Sequence, residues 1–377
     1  MVPTRLVEAL SSVRDPRVAR RRLHNLVDIL VIAVLATING STAWSDMEVF
    51  AESRLAWLRT FLTLPNGVPC EDTFRRVFEA MSPKEFGAAV STVLEDLVND
   101  LQGKVVALDG KTMRGSFDRR RGKSALHVVS AWVTELGLSL GQVAVDDKSN
   151  EITAIPELLK TIDVRGTTVT IDAMGCQKAI AAAIVDAGAD YILAVKENQP
   201  TLRMSLEVAF AEVPGDEDSN LVEDEHVAED HGHGRTERRR VRVISDIDWI
   251  EGIDAWKHAK SIVEVERTRA VGDKTSVERG YYISSLAVDA KTMGTRIRSH
   301  WGIENSLHWV LDVTFGEDNS RVRDRNAAAN LTALRKLSLS LLKRAPAGRA
   351  RSIAQRRKVA GWNPDYGFEI LAGILDA

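Results

Sequence analysis

Two short apolar segments, each ending in an aspartate, constrain the fold of this chain more than any other feature. They are KVVALDG, which contains Asp109, and TTVTIDA, which contains Asp172. The segments EITAIPELLKTI and QKAIAAAIVDAG have helical patterns, and DYILAVK reads as a further strand. Strands that alternate with helices at this spacing predict a mixed α/β sheet. We therefore expect both aspartates at one edge of that sheet, where open α/β folds form their sites.

The hydrophobic pattern changes along the chain and predicts several structural regions. A chain of 377 residues exceeds the roughly 250–300 residues at which a single core stops growing. Residues 1–100 are expected to form an all-helical N-terminal domain, and residues 101–345 an α/β domain. Within the second, residues 205–290 contain segments that alternate like antiparallel strands, which indicates a β-rich insertion. Residues 346–377 are expected to be a basic C-terminal segment.

Apolar segments and cysteines indicate the class of protein. The longest apolar run, LVDILVIAVLATI, is shorter than the roughly 20 residues that cross a bilayer, and we interpret it as a buried helix. The first residues lack the apolar part of a secretory signal. Cys70 and Cys176 are too few for a disulfide framework or a thiolate metal site. We expect a cytoplasmic protein that does not interact with membranes.

Charge is distributed unevenly along the chain, although the net charge is only −3. Residues 321–358 hold twelve Lys or Arg side chains and one acid, Asp324, whereas residues 207–230 hold ten acids and no base. A basic segment of this length is typical of a phosphate-binding surface. The alternative interpretation is a solvated basic tail.

A third acid, Glu304, lies in the segment RSHWGIENSLHWVLDVTFGED. At 100° per residue, a single helix places it on a polar face with His300 and His308. The opposite side carries apolar residues, which would anchor the helix. Trp301 and Trp309 of the same segment could stack on an extruded base, but we expect at least Trp309 to pack in the core.

Asp109, Asp172 and Glu304 have the chemistry of a magnesium site. Mg²⁺ prefers hard oxygen ligands and keeps water and substrate phosphate in its shell. Two such ions about 4 Å apart can activate an attacking oxygen and stabilise a leaving oxygen in phosphoryl transfer. Their positive charge would also offset the repulsion among the acids. Sequence spacing alone leaves open whether the three side chains meet.

Three long segments carry a resemblance to a known family. They are VVALDGKTMRGS, TIDAMGCQKAIAAAIVDAGADYILAVKENQPTL and RSHWGIENSLHWVLDVTFGEDNSRVRDRNAAANLTALRKL. They closely resemble the DDE transposases of bacterial insertion sequences, in the group that includes the H-repeat-associated proteins. The helical start, with GVPCEDTFRRVF, also resembles the N-terminal domain of that group, so the likeness covers roughly residues 15–345.

The resemblance implies a ribonuclease-H-like core with an inserted β-rich segment, and Asp109, Asp172 and Glu304 match its catalytic triad. The implied activity is metal-dependent nicking of DNA at the element ends, followed by transfer of the freed 3′-hydroxyl into target DNA. The implied cofactor is two Mg²⁺ ions, with Mn²⁺ as a substitute. The implied partners are the terminal inverted repeats and target DNA, bound by a homodimer or larger synaptic complex at the bacterial nucleoid.

Further residues are candidates for DNA contacts. The candidates are Lys111, Arg114, Asn198, Gln199, Arg235, Arg298, His300, His308, Arg356, Arg357 and Lys358. Lys111 and Arg114 follow the first aspartate, with a solvated loop as the alternative. Asn198 and Gln199 belong to the family motif KENQ, with ordinary strand-end turn chemistry as the alternative.

Other functions were weighed against this interpretation. The main alternative is a catalytically inactive or domesticated DNA-binding protein derived from a transposase, and another is a host nuclease of the same fold. DGKT is not a phosphate loop, because Val105 stands where that motif requires glycine. His226, His231 and His233 match no standard zinc spacing, so a polar loop is favoured there.

Overall fold

A computed structural model of the protein describes residues 4–98, 100–118, 122–145, 150–212, 222–232, 234–345 and 352–372. The described residues group into two compact units. The first unit draws on Met1–Asp100, Gly110–Asn150 and Ile303–Ala377, and the second on Leu101–Asp109 and Glu151–Gly302. Each unit therefore combines stretches that are distant in the sequence.

Helices and strands are numbered in chain order. The α-helices are α1 (Thr4–Ser11), α2 (Leu26–Ile38), α3 (Trp44–Ser53), α4 (Leu55–Leu58), α5 (Glu71–Ala80), α6 (Pro83–Asp96), α7 (Glu151–Leu159), α8 (Lys178–Asp186), α9 (Pro200–Glu212), α10 (Ala290–His300), α11 (Trp309–Val313), α12 (Arg325–Arg344), α13 (Ile353–Trp362) and α14 (Pro364–Ala372). The strands are β1 (Val105–Thr112), β2 (His127–Val133), β3 (Leu138–Val145), β4 (Thr168–Ile171), β5 (Asp190–Val195), β6 (Val222–Gly232), β7 (Arg235–Ser245), β8 (Ser261–Val271) and β9 (Lys274–Ser284).

The second unit is built on a mixed sheet. β1, β4 and β5 are parallel neighbours, and β9 pairs antiparallel with β5. The order continues through β8 and β7 to β6, all antiparallel, and these four strands arise from the predicted β-rich insertion. Helix α10 packs on this sheet through Met293 and Ile297, which join a core with Val241 and Val263.

The first unit contains the helical N-terminal region, an antiparallel β2–β3 hairpin and the C-terminal helices. Its strand order runs from β3 and β2 to the last residues of β1. Every residue of α2 except Val27 is buried, as expected for a helix that is apolar on all sides. The prediction of a buried helix there is confirmed, and within the described residues no helix is long and apolar enough to cross a membrane.

The predicted fold class is confirmed. The chain has a helical N-terminal region, a ribonuclease-H-like mixed α/β sheet and a β-rich insertion that extends this sheet. Strand β1 contributes residues to both units, because the division falls between Asp109 and Gly110. The first candidate catalytic residue therefore lies where the chain passes from one unit to the other.

Helix α12 does not have the exposure that its basic sequence predicts. Residues 327–342 are all buried, and the helix packs against α2, α5, α6 and β3 of the first unit. Arg335 and Lys336 are 3% and 2% exposed. The prediction that residues 321–358 form one continuous phosphate-binding surface is therefore wrong for Arg335 and Lys336, which lie in the core, whereas Arg344 at the end of the helix is exposed.

A buried network of charges accommodates these basic side chains. The carboxylate of Glu317 is fully buried and accepts hydrogen bonds from the Thr332 hydroxyl at 3.0 Å and the Arg335 guanidinium at 3.4 Å. The Lys111 ammonium lies 3.2 Å from its other oxygen. Burial alone would raise the pKa of Glu317, but the charges of Arg335, Lys111 and Lys336 hold it below its usual value.

Lys336 is the weakly compensated member of this network. Its ammonium donates a hydrogen bond to the Ser130 hydroxyl. Burial, together with the positive charge of Lys111, lowers the pKa of Lys336 to about 7, although Glu317 acts in the opposite direction. Because the folded protein binds this proton less tightly than the unfolded chain, Lys336 opposes folding most strongly below pH 7 and progressively less above it.

Because of Lys336, the free energy of unfolding should increase as the pH rises. The increase begins at the pKa of this side chain in the folded protein, about 7, and ends near its pKa in the unfolded chain, about 10.4. Replacing Lys336 with Met, which has similar length and no charge, should raise the free energy of unfolding near pH 6.5 and flatten this rise. Urea unfolding across the window, wild type against Lys336→Met, measures both effects. As a control, Glu317→Gln should destabilise by about 3–5 kcal/mol, because it leaves buried cations unpaired. Parallel pH profiles for wild type and Lys336→Met would contradict this account.

Candidate active site

Asp109 and Asp172 are brought together by the pairing of two parallel strands. Val105 of β1 is opposite Thr168 of β4, and the register continues to Leu108 opposite Ile171. Asp109 follows Leu108 on β1, and Asp172 follows Ile171 at the end of β4. Because the strands run in the same direction, both carboxylates lie at the carboxyl edge of the sheet.

The surroundings of Asp172 show that these acids interact. Its carboxylate accepts a hydrogen bond from the Met174 backbone N–H at 3.1 Å and caps the short 3₁₀ helix Ala173–Gly175. Partial desolvation, followed by the negative charges of Glu151 and Asp109, raises the pKa of Asp172. An arrangement in which carboxylates repel one another is one that a bound divalent cation would stabilise.

Glu151 is a member of this site that the sequence analysis missed. It is the first residue of α7, and this helix packs against the 3₁₀ helix that follows Asp172. Ile155, one turn further along α7, faces Gly175, where an added Cβ would lie 3.3 Å from its Cδ1 atom. An acid in the first turn of a helix is common for dipole reasons, so its sequence position alone did not mark Glu151 as functional.

Asn198 and Gln199 fix the backbone that follows Asp172. The Asn198 side-chain amide donates to the Ala173 carbonyl at 2.6 Å, and that of Gln199 donates to the Cys176 carbonyl at 2.9 Å. The KENQ motif therefore joins the end of β5 to the turn after β4. These contacts account for both residues without DNA, and a DNA contact stays a prediction for them.

The basic candidates of the second unit differ in their engagement. The His300 Nδ1 and Thr170 Oγ1 atoms are hydrogen-bonded at 3.0 Å, so His300 contacts β4 two residues before Asp172. Arg298 is exposed and forms an ion pair with Asp230 at 3.0 Å. Arg235 is exposed near the tip of the β6–β7 hairpin and pairs with Glu237 at 2.9 Å. Arg298 and Arg235 therefore remain accessible to a DNA backbone.

Glu304 lies in the first unit and begins a π-helix. The predicted single helix is in fact divided: α10 ends at His300, the π-helix spans Glu304–His308, and α11 follows. Glu304 is exposed, whereas Ile303 and Leu307 are fully buried, so the predicted apolar anchor is present. His308 is half-buried at the end of the π-helix. Such π-turns occur frequently at functional sites.

Trp309 is not a core residue, contrary to the expectation from sequence. Its side chain is 58% exposed, and Trp301 is also exposed, with the Arg267 guanidinium 5.9 Å from its ring centre. The buried side of this segment is formed by Ile303 and Leu307, and Trp309 lies outside it.

Lys111 and Arg114 follow Asp109 but have different environments. The Lys111 ammonium is ion-paired with Asp312 and lies 3.5 Å from Asp318, in addition to its contact with Glu317. Burial would lower its pKa, but Glu317 and Asp312 raise it above the usual lysine value. Arg114 has a side chain that is 83% exposed, so it is better placed than Lys111 to reach a phosphate.

The three C-terminal basic candidates also differ. Arg357 is buried, donates to the Thr37 carbonyl at 2.9 Å and to the Thr314 carbonyl, and stacks over Phe315 at 4.3 Å. Arg357 is therefore a structural residue, and its assignment to a DNA surface is corrected for this physical reason. Arg356 donates to carbonyls at the end of α12, including that of Leu342 at 2.6 Å, whereas Lys358 is exposed.

The side chains of this site that could hold a metal ion are carboxylates. Among the described residues, no group of three or more His, Cys, Asp or Glu side chains is arranged to hold a metal ion. Asp109 and Asp172 nevertheless provide hard oxygen donors, which suit Mg²⁺. His226 and His231 lie on β6, while His233 is outside the described residues.

Comparison with known proteins identifies the family of this chain. The family model described as "Transposase DDE domain" matches residues 100–341, and the model described as "DDE_Tnp_1-associated" matches residues 7–93. The chain belongs to the DDE transposase family. Members of this family generally use divalent metal ions, so the Asp109 and Asp172 carboxylates are suitable donors in this transposase.

Two relatives and one solved structure illustrate the similarity of this transposase. The protein named "Putative transposase YncI" of Escherichia coli O157:H7 is 40% identical and covers 98% of this chain and 95% of its own length. The "H repeat-associated putative transposase YhhI" of Escherichia coli K12 is 36% identical and covers 98% of both. The cryo-EM structure of the piggyBac transposase synaptic complex with hairpin DNA covers 100% of this chain and 78% of its own, with 10% identity and a TM-score of 0.42. That last similarity is too weak to carry an argument.

Removing a neighbouring negative charge should lower the pKa of Asp172, because like charges disfavour its ionised form. We expect a lower value in both Asp109→Asn and Glu151→Gln, measured by NMR titration of the Asp172 side-chain carboxyl carbon. Glu157→Gln is a matched control, since Glu157 is an exposed acid on the same helix. If neither Asp109→Asn nor Glu151→Gln moved the titration, the three acids would not share a site.

Proposed function

We propose that this protein is an insertion-sequence transposase that cuts and joins DNA with Asp109, Asp172 and Glu304. The observation that carries the proposal is the parallel register of β1 and β4, which sets Asp109 beside Asp172. The raised pKa of Asp172, caused first by partial desolvation and then by the negative charges of Glu151 and Asp109, supports the same conclusion. The exposed Glu304, on a helix anchored by buried residues, is the third acid of the proposal.

The proposed role of the three carboxylates is to hold two Mg²⁺ ions, with Mn²⁺ as a substitute. When bound, such a pair of ions activates an attacking oxygen and stabilises a leaving oxygen. Asp172 is oriented by the Met174 backbone N–H, and the turn after it is held by Asn198 and Gln199. These contacts would keep the carboxylate within the small tolerance that phosphoryl transfer requires.

The proposed reaction has two steps. Water first attacks a phosphodiester at the element end, which breaks the bond to the 3′ oxygen and leaves a free 3′-hydroxyl. This hydroxyl then attacks a phosphodiester of target DNA, which joins the two DNAs and releases a target 3′-oxygen. Both steps are in-line displacements at phosphorus, so one set of carboxylates serves both.

DNA would be bound by exposed basic side chains. Arg114, Arg235, Arg298 and Lys358 are the accessible members of the predicted set. Joining two element ends requires a homodimer or larger synaptic complex, acting on the nucleoid in the bacterial cytoplasm. We assign the proposed DNA cutting and joining to residues 101–345. The helical residues 1–100 are assigned to a separate domain associated with this catalytic region.

Asp109→Asn, Asp172→Asn and Glu304→Gln should each reduce nicking by more than about 100-fold, since even residues outside the first coordination shell of a metal cost 10- to 100-fold. The substrate is DNA carrying the inverted repeats that flank the coding region, assayed with Mg²⁺ for nicks and for joined products. Duplex binding should persist in all three variants. Glu157→Gln, an exposed acid outside the site, should cleave like wild type.

The alternatives give different outcomes in the same assay. Binding without cleavage by wild type, with no effect of Asp109→Asn, would identify an inactive or domesticated DNA-binding protein. Nicks without joined products would identify a nuclease of the same fold. Either outcome would overturn the proposed transposase activity.

The affinity for duplex DNA should fall steeply with salt, because bound phosphates release counterions. Replacing the exposed residues Arg321, Arg323 and Lys358 with Gln should reduce the slope of log K against log salt by about 0.9 for each lost phosphate contact. Arg357 is left intact in this test, because it is buried and its loss would disturb folding. A flat salt response of the wild-type protein would contradict a phosphate-binding role for this surface.

A further inference from the structure

An apolar groove with an exposed tryptophan lies beside the π-helix that carries Glu304. Trp309 and Val313, one turn apart on α11, are 58% and 61% exposed. They line a groove of about 410 Å³ together with Ile353 and Ala354 of α13. Lys358 also lines this groove. Exposed apolar side chains gathered in one groove indicate a binding surface more than scattered ones do.

The π-turn sets this tryptophan on the side of the helix that carries Glu304. The backbone N–H of Trp309 donates to the carbonyl of Glu304, five residues earlier, which closes one wide turn. In an α-helix, residues five apart would be separated by roughly 140° around the axis. The wider turn therefore brings an exposed ring and an exposed carboxylate onto adjacent parts of one surface.

The floor of the groove is held rigidly. Arg357, which also lines the groove, connects α13 to the carbonyls of Thr37 and Thr314 and stacks over Phe315. The next residue, Lys358, is exposed. A fixed backbone thus presents an aromatic ring, apolar walls and a lysine ammonium together.

We propose that this groove binds one unpaired nucleotide of the DNA substrate, with its base stacked on Trp309 and a neighbouring phosphate at Lys358. This inference rests on the proposed function, since it assumes a DNA substrate. Every base has a π-face that stacks on an aromatic side chain, and lysine provides the charge that a phosphate requires. The groove volume lies within the range of about 300–1,000 Å³ of small-ligand sites.

Stacking is tested by fluorescence anisotropy with a labelled single-stranded oligothymidylate. Trp309→Ala should weaken its binding by roughly fivefold to 150-fold, the loss that corresponds to one stacked base. Trp309→Phe retains an aromatic face and should bind within about fivefold of wild type, as the stacking tolerance predicts. Trp249→Ala is the matched control, because Trp249 is 50% exposed in the second unit, and it should have no effect.

Salt dependence separates the two parts of the groove. Lys358→Gln should reduce the salt slope for single-stranded DNA by about 0.7, the value for one phosphate contact, whereas Trp309→Ala should leave the slope unchanged. Thermal unfolding checks that both variants remain folded. Sedimentation of the free protein shows whether either variant alters self-association.

Wild-type affinity for oligothymidylate in Trp309→Ala would overturn the inference, whether or not self-association changes. If self-association alone were lost, the groove would be a surface for a second copy of the chain. The proposed transposase activity would survive this result, provided that wild type still nicks terminal-repeat DNA in a manner that depends on Asp109. A wild-type protein that neither binds nor nicks DNA would overturn both proposals.

Discussion

The site depends on the parallel pairing of β1 with β4. This register sets Asp109 beside Asp172, and partial desolvation together with the charges of Glu151 and Asp109 raises the pKa of Asp172. A divalent cation would offset the negative charges of these neighbouring acids. The turn after Asp172 is held by Asn198 and Gln199, so the fold maintains this arrangement with polar contacts from the turn that follows β5.

The basic side chains of the C-terminal third have two different roles. Arg335, Lys336 and Arg357 are in the core. There they donate hydrogen bonds to Glu317, to Ser130 and to backbone carbonyls, respectively. Lys358 and the residues near Arg321 face solvent. Burying charges is unfavourable unless partners are complete, and Glu317 provides the central negative charge for Lys111 and Arg335. The network therefore connects Lys111, which is two positions after Asp109, with helix α12 of the first unit.

The short helical segment that contains Glu304 also carries buried apolar residues and an exposed tryptophan. Trp309 is exposed while Ile303 and Leu307 are buried, so one short segment combines an anchor, an acid and an aromatic surface. Substrate recognition close to the reacting groups is a reasonable use for such a turn, since π-turns concentrate at functional sites.

Sequence patterns alone determined the α/β class, the helical N-terminal region, the β-rich insertion and the candidate acids. These features follow from local periodicity and from long family motifs. Both can be read within one segment of the sequence, without knowing which other segments it contacts. Tertiary structure decided the rest. The neighbourhood of Glu151 depends on how α7 packs, and the burial of Arg335 and Arg357 depends on partners distant in sequence. A pattern of residue types records propensity, whereas burial and electrostatic interaction depend on which distant segments meet.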